Sequence, residues 1–219
     1  MEAATRHAYV PLNERPHGGH AKLLLYVRDG ERVLDVGCST GYLARPLVAR
    51  GCEVVGIEQD PAAAQAAREV CQEVVVGDVE TMAMPFAPGS FDVVLCGDLI
   101  EHLRAPEDFL ARVRPLLAAG GRLVLTTPNV ANWAMRLGLL VGRWRYTERG
   151  ILDRTHLHLF TRATLVEALE RSGYRVVDLD FTAPVPVIRA PAVERVAHAV
   201  GRIRPSLFAY QFVVSATPA

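Results

Sequence analysis

The residues best placed to do chemistry are a glycine turn and three carboxylates that come after it. Gly37-Cys38-Ser39-Thr40-Gly41 comes after the apolar, β-branched run Arg32-Val33-Leu34-Asp35-Val36 and before the helical-looking residues 42–49. A strand, a glycine turn and a helix in succession let backbone approach a ligand closely, with helix N–H groups aimed at it. Such a unit opening the first βα repeat predicts a site for a nucleoside-containing cofactor. Glu58, Asp78 and Asp98 stand at the carboxyl ends of three later apolar runs, where an open parallel sheet binds its ligands. Each acid has an alternative role as a helix cap. Glu58 lies about 20 residues beyond the turn, and a carboxylate at that spacing accepts two hydrogen bonds from a ribose diol.

Glycine spacing narrows the ligand. A dinucleotide turn needs G-x-G-x-x-G, so that a helix N-terminus can hold a pyrophosphate. Here Ser39 occupies the middle position and Tyr42 the last, so the turn fits a dinucleotide poorly. No lysine follows in a Walker pattern, which argues against nucleoside triphosphates. Ser39 can stand in such a turn if its φ stays negative and its Cβ points away from the ligand.

The elements that position these residues follow from the order of the runs. Strands are expected over 32–36, 53–57, 74–78, 91–96, 122–127, 174–179 and 207–214. Between them come helices over 42–49, 62–70, a segment opened by Pro106 and ended by Gly120-Gly121, and 161–171. Asp60 and Pro61 suit the N-cap and first turn of the second of these. Thr161 or Thr164 caps the last, Thr164 with Glu167 spelling a capping box and Gly173 closing it. Phe109, Val113, Leu116 and Leu117 form the expected buried stripe of the Pro106 helix. Strands and helices alternating at this spacing predict an α/β fold with a doubly wound, Rossmann-like, mostly parallel sheet. Residues 1–19 look irregular, 21–27 helical, and 1–30 together form a packing segment or a lid. Pro184, Pro186 and Pro191 break the stretch before a helix over about 193–200.

Bulk properties exclude some partners. With 24 basic and 24 acidic residues among 219, the chain lacks the excess of a general nucleic-acid binder. Neither a signal peptide nor an apolar run of the roughly 20 residues that span a bilayer is visible. Cys38, Cys52, Cys71 and Cys96 form no CxxC pair and read as buried thiols of a reducing, cytoplasmic setting.

Six motifs in order, VLDVGCSTGYLARPL, VVGIEQDP, VVVGDVE, FDVVLCGDLIEHL, GGRLVLTTPN and GILDRTHLHLFTRATLVEALERSGY, resemble those of class I S-adenosylmethionine-dependent methyltransferases. The resemblance runs from about residue 32 to 174 and is nearest the small bacterial type that includes ubiquinone-pathway and methionine-pathway enzymes. It implies a single methyltransferase domain over 1–219, with a seven-stranded sheet whose last strand is antiparallel. It also implies S-adenosylmethionine as the cofactor. Asp35, Gly37 and Gly41 would shape the methionine pocket, and Glu58 would hold the ribose hydroxyls. Asp78 would meet the adenine amino group beside the backbone of Val79, and Asp98 would line the methionyl end. Cys38 and Ser39 in the turn and Gln59 next to Glu58 complete the expected cofactor set.

Methyl transfer from a sulfonium asks the protein mainly for positioning and desolvation. An oxygen acceptor on a small molecule is preferred, and an imidazole is the side chain suited to take its proton at neutral pH. His102 and His156 are the catalytic candidates, with His158 close in sequence; each also has a plain structural role available. Glu101, His102, Asp153 and His156 show no recognised ligand spacing, so no metal is expected. Residues 129–160 hold both tryptophans together with Arg136, Arg143, Arg145 and Arg149, and Trp133, Leu137, Leu140, Val141 and Trp144 can share a helical face. They fit a substrate cap, a helix packed on the sheet or on a second subunit of a homodimer, or a weak interfacial membrane contact. Two other functions compete: a non-catalytic or partner-dependent S-adenosylmethionine-binding subunit, and a nicotinamide dehydrogenase. The second is disfavoured by the glycine spacing and by the lack of a Tyr-x-x-x-Lys pair.

Overall fold

Alternating apolar residues build one sheet with a covered face on each side. The computed structural model describes residues 18–183 and 199–219. Its strands are β1 (Arg32–Val36), β2 (Glu53–Glu58), β3 (Glu73–Val76), β4 (Phe91–Gly97), β5 (Leu117–Pro128), β6 (Tyr174–Thr182) and β7 (Gln211–Pro218). They lie in the order β3-β2-β1-β4-β5-β7-β6. The first five are mutually parallel, and β7 runs antiparallel to both neighbours. The chain therefore reverses strand order between β1 and β4, and the carboxyl ends of those two strands flank a crevice of the kind that binds ligands.

Side chains alternate across the pleat. Leu34, Val36, Val94, Cys96, Leu123 and Leu125 face helices α4 (Pro106–Val113) and α6 (Arg162–Arg171), through Phe109, Leu110, Leu165 and Leu169. Val33, Val54, Val93, Leu95 and Val124 face the other way, toward α1 (Gly19–Leu25), α2 (Ala44–Val48) and α3 (Pro61–Ala67). Asp35 falls in that second register, between Leu34 and Val36, and is 1% exposed. α1 is tied down by charge as well as by Leu23: the buried Lys22 Nζ reaches Asp180 Oδ2 of β6 at 2.5 Å. Arg122 joins the same end of the molecule by donating to Glu31 and to the carbonyl of Tyr26.

Asp60 caps α3 through Ala62 N–H, with Pro61 in the first turn. At α6 the capping box is Thr161 with Thr164, and Thr164 with Glu167 makes none; Glu167 instead pairs with Arg171 at 2.5 Å. α4 stops at Val113, so Leu116 and Leu117 are buried but lie beyond the helix, and Gly120-Gly121 sits inside β5, which starts five residues before the expected 122. The cause is a register shift against β4 between Phe91 and Val93, which lets Leu117 pair before the irregularity. The last strand starts at Gln211 and not at 207, because Pro205 nucleates a helical turn through Phe208. Residues 1–17 of the expected lid segment, and most of the helix expected over 193–200, lie outside the described residues; 199–203 are helical.

α5 (Trp133–Leu140) departs most from expectation. It is a helix, capped by Asn132 through Ala134 N–H, yet it buries no residue. Trp133, Leu137, Leu140 and Val141 are all exposed, Leu140 at 82%, so the helix packs on neither face of the sheet. The chain beyond α5 is held more firmly. Leu157 and His158 donate backbone N–H bonds to Glu101 O at 2.8 and 3.0 Å, and Val130 N–H donates to Phe160 O. The buried Asn129 secures the base of the segment, donating to the carbonyls of Ser206 and Ala209. No described helix is long and apolar enough to cross a membrane.

Candidate functional site

At the end of β1 the chain turns through Gly37 (φ 76), Ser39 (φ 50) and Gly41 (φ 74). Ser39 thus takes the left-handed conformation, against the expectation of a negative φ. A side chain there costs about 1 kcal/mol relative to glycine. The backbone partner explains why the strain persists: Ser39 N–H donates to Glu58 Oε2 at 2.9 Å, while Asp60 N–H donates to Glu58 Oε1 at 2.9 Å. Gly37 and Cys38 N–H both go to Ile57 O. Three successive turn donors are therefore spent on β2. α2 begins only at Ala44 and has no capping side chain, so the turn is not an anion cradle. Gly41 is also needed for closeness, since a Cβ there would sit 3.3 Å from Ala67 Cα of α3.

Glu58 uses one lone pair on each oxygen for these backbone bonds, and a carboxylate offers about four such sites. Asp78 is exposed and accepts from Glu80 N–H in an Asx turn. Val79 is buried and its carbonyl is held by Arg112 Nη2 at 2.6 Å; the same guanidinium holds the carbonyls of Glu80 and Met82. Gln59 is exposed beside Glu58.

On the other side of the switch point, Asp98 also adopts a left-handed conformation, φ 49. Thr126 at the end of β5 fixes it twice, its hydroxyl accepting from Asp98 N–H at 3.0 Å and donating to Oδ1 at 2.9 Å. Gln211 Nε2 donates to the same oxygen. The ring of His20 of α1 lies tilted against that of Tyr42, centroids 4.9 Å apart, and burial lowers its pKa against the opposing pull of Asp98.

One 3-10 turn later come Glu101 and His102. The segment ending at Phe160 brings His156 against His102, ring centroids 4.8 Å apart and edge to face. His102 Nδ1 lies 3.2 Å from Thr155 O and His156 Nδ1 3.1 Å from Ile151 O. A carbonyl only accepts, so both Nδ1 atoms carry a proton, and in a neutral imidazole held this way Nε2 has the lone pair. Burial, and then the neighbouring imidazole, lowers the pKa of His102, keeping it neutral. His158 turns away, bonding Arg104 O and stacking on Phe160. Asp153 is occupied by the N–H and hydroxyl of Thr155.

Buried polar atoms without a partner concentrate around this crevice. Among the described residues they include Asp35 Oδ2, both carboxylate oxygens of Glu101 and the hydroxyl of Thr127. Burial, then the charge of Glu58, pushes the Asp35 carboxyl up to about 7; burial, then Asp98, raises Glu101 well above the ordinary range. A polar group buried without a bond is costly, and a cluster of them beside a switch point marks where a polar ligand belongs.

A family profile described as a methyltransferase domain matches residues 11–179 of the 219. The chain belongs to that methyltransferase family. It is similar to the ubiquinone biosynthesis O-methyltransferase of Aeromonas salmonicida, 30% identical over 165 residues covering 72% of this chain and 68% of that enzyme. The enzyme of the same name from Xanthomonas euvesicatoria pv. vesicatoria is 32% identical over 158 residues, 68% of this chain and 65% of its own length. The match thus spans about two thirds of these curated relatives. Among solved structures, the methyltransferase of the complex with the Haloferax volcanii Trm112 methyltransferase activator superposes with a TM-score of 0.65 at 21% identity, covering 94% of this chain and 91% of that one. A SAM-dependent methyltransferase from Archaeoglobus fulgidus gives 0.64 at 20%, covering 90% and 91%. Seven strands, mostly parallel with one reversed, are the fold these structures share with this methyltransferase.

The glycine turn, Glu58, Asp98, His102 and His156 were visible as strand-end or loop residues; Thr126, Gln211 and Arg112 were not. Thr126 ends a strand like the acids and could have been found by the same rule. Gln211 and Arg112 reach the site across the fold, and nothing in their local sequence signals it.

Two measurements check this geometry. Ser39→Gly removes the left-handed strain while keeping the N–H bond to Glu58, so it should raise unfolding free energy by about 1 kcal/mol in urea titrations. Asp35 has a folded pKa above its unfolded one, so its contribution to stability is complete at low pH and is lost as pH rises through about 7. Asp35→Asn should therefore gain stability over the wild type progressively from about pH 4 to about pH 7, and no further above that, in paired denaturation curves.

Proposed function

We propose that this methyltransferase takes its methyl group from S-adenosylmethionine and delivers it to an oxygen atom of a small-molecule acceptor. The observation that carries the reading is the Glu58 carboxylate, fixed against the turn by Ser39 and Asp60 N–H with acceptor capacity to spare. That geometry suits a ribose diol, and the spent turn donors leave no cradle for a pyrophosphate. In this reading Gly37, Cys38, Ser39 and Gly41 form the floor under the sugar and the methionine chain. Asp35 receives the α-ammonium, for which its buried, unpartnered oxygen is suited. Asp78, Val79 and Gln59 border the adenine, and Arg112 keeps that loop in place. Asp98, held by Thr126 and Gln211, borders the reacting end.

The bound sulfonium supplies an electrophilic methyl carbon. The acceptor oxygen forms the new bond to that carbon, the old carbon–sulfur bond breaks with its electron pair going to sulfur, and the hydroxyl proton leaves. His102 and His156, each with an Nε2 lone pair, are the groups placed to take that proton. Oxygen is favoured over nitrogen by this pair and by the activity for which the relatives are named, O-methylation in ubiquinone biosynthesis. Residues 129–160 act as the cap on the acceptor side, since they carry His156 and anchor to Glu101 O. A second reading, in which turnover needs a partner protein, draws on the exposed apolar residues of α5. Assay of the purified chain alone separates the two.

Calorimetry with S-adenosylhomocysteine should show one site on the wild type, weakened at least about tenfold in Glu58→Ala, which loses two ribose bonds of about 1 kcal/mol each. A folded wild-type chain that binds neither S-adenosylmethionine nor S-adenosylhomocysteine sinks the reading. His156→Gln should lower kcat by about 100-fold with S-adenosylhomocysteine affinity retained.

A further inference from the structure

Glu101 poses a problem that the methyl-transfer reading does not solve. It is 1% exposed, and neither carboxylate oxygen makes a hydrogen bond of good geometry among the described residues, although its own backbone N–H and the Thr127 hydroxyl stand near it. Native proteins rarely bury a carboxyl group in this way unless something else satisfies it. Its neighbours are informative. One ligand atom each from Glu101, His102 and His156 lies within 4.8 Å of the others. Both imidazoles are already oriented, since Nδ1–H of His102 is held by Thr155 O and Nδ1–H of His156 by Ile151 O. An imidazole whose far N–H is anchored to a carbonyl, leaving Nε2 as a lone pair, is the arrangement found behind metal-ligating histidines.

We propose that Glu101, His102 and His156 bind a divalent first-row transition-metal ion at the acceptor edge of the pocket. The donor set selects the ion class. One carboxylate with two imidazoles suits zinc, cobalt, iron or manganese, whereas calcium and magnesium favour all-oxygen sites. The carboxylate supplies charge that satisfies the buried site, and three protein ligands leave coordination positions open, as in catalytic and not structural sites. The sequence offered no ligand spacing because the third donor comes from residue 156, brought in by the loop anchored on Glu101 O. Asp153, the fourth residue of the sequence cluster, is turned to Thr155 and takes no part.

The inference deepens the proposed O-methylation and rests on it for its catalytic consequence. An acceptor hydroxyl entering an open position would be polarised and would lose its proton to water at neutral pH. The resulting oxygen attacks the methyl carbon while the sulfonium keeps the electron pair of the broken bond. The ion thereby takes over the proton-removing role given above to His102 and His156, whose Nε2 lone pairs hold it instead. Acceptors with an ionisable hydroxyl are the class such a site would take.

The test reads binding separately from turnover. Zn²⁺ titrated calorimetrically into the chelator-treated chain should occupy one site. Glu101→Gln and His156→Ala should each weaken it at least about tenfold. Both variants should keep S-adenosylhomocysteine binding, which also reports that they fold; if one does not fold, the other decides. Co²⁺ in place of zinc should give visible d–d bands without thiolate charge transfer, because the four cysteines are buried elsewhere. Absence of a single zinc site in the wild type, unchanged affinity in the folded variants, or a thiolate cobalt spectrum would overturn the proposal. Zinc binding without S-adenosylhomocysteine binding would reject the methyl-donor reading and leave this site standing.

Discussion

The Glu58 carboxylate is the contact on which the pocket depends. It pulls Ser39 N–H and Asp60 N–H toward one point, tying the turn after β1 to the turn after β2. Ile57 O does the same for Gly37 and Cys38. Together they oblige the chain to pass through three positive-φ residues within five, one of them a serine. The turn is shaped by what it bonds behind it, and its front is left for a ligand. Burial, and then the same carboxylate, raises the cost of ionising Asp35, so two acids of one pocket differ: one is bonded to backbone N–H groups, the other is buried and tuned toward neutrality.

The architecture was legible because apolar period and glycine punctuation agree along most of the chain. Strands β1 to β4 fall within a residue or two of their expected places, and Asp60, Pro61 and Gly173 do what their positions require. Misreadings occur where a tertiary contact overrides a local signal. Gly120-Gly121 reads as a helix stop, but the irregular pairing of β4 with β5 absorbs it. Leu207 and Phe208 read as strand, but Pro205 starts a turn first. The apolar stripe of α5 has the periodicity of a buried helix, and no surface of the sheet receives it.

The site divides along the same line. Residues at strand ends were legible, because a rule of topology places them without any knowledge of contacts. The meeting of Glu101 and His102 with His156 was not, because more than fifty positions of sequence separate them and that gap is closed by tertiary bonds, those of Leu157 and His158 N–H to Glu101 O first among them. Likewise Gln211 reads as an ordinary first residue of a strand, yet it lies on Asp98 and against Gly19, where a Cβ would come within 2.3 Å of its Oε1.

β7 is the strand through which the far side of the crevice is assembled. It slots between β5 and β6, and among the described residues β6 pairs with no other strand. Tyr210 O receives Asn129 N–H, and Gln211 reaches Asp98. Of the seven strands it is the last to leave the ribosome. A nascent chain can therefore close the parallel half of the sheet, with the turn and Glu58 in place, while the edge that secures Asp98 and Asn129 is still unfinished. The half of the crevice built on β1 and β2 has no strand pairing to wait for at the end of the chain, whereas a chain broken before 211 would lack the side chain that lies on Asp98.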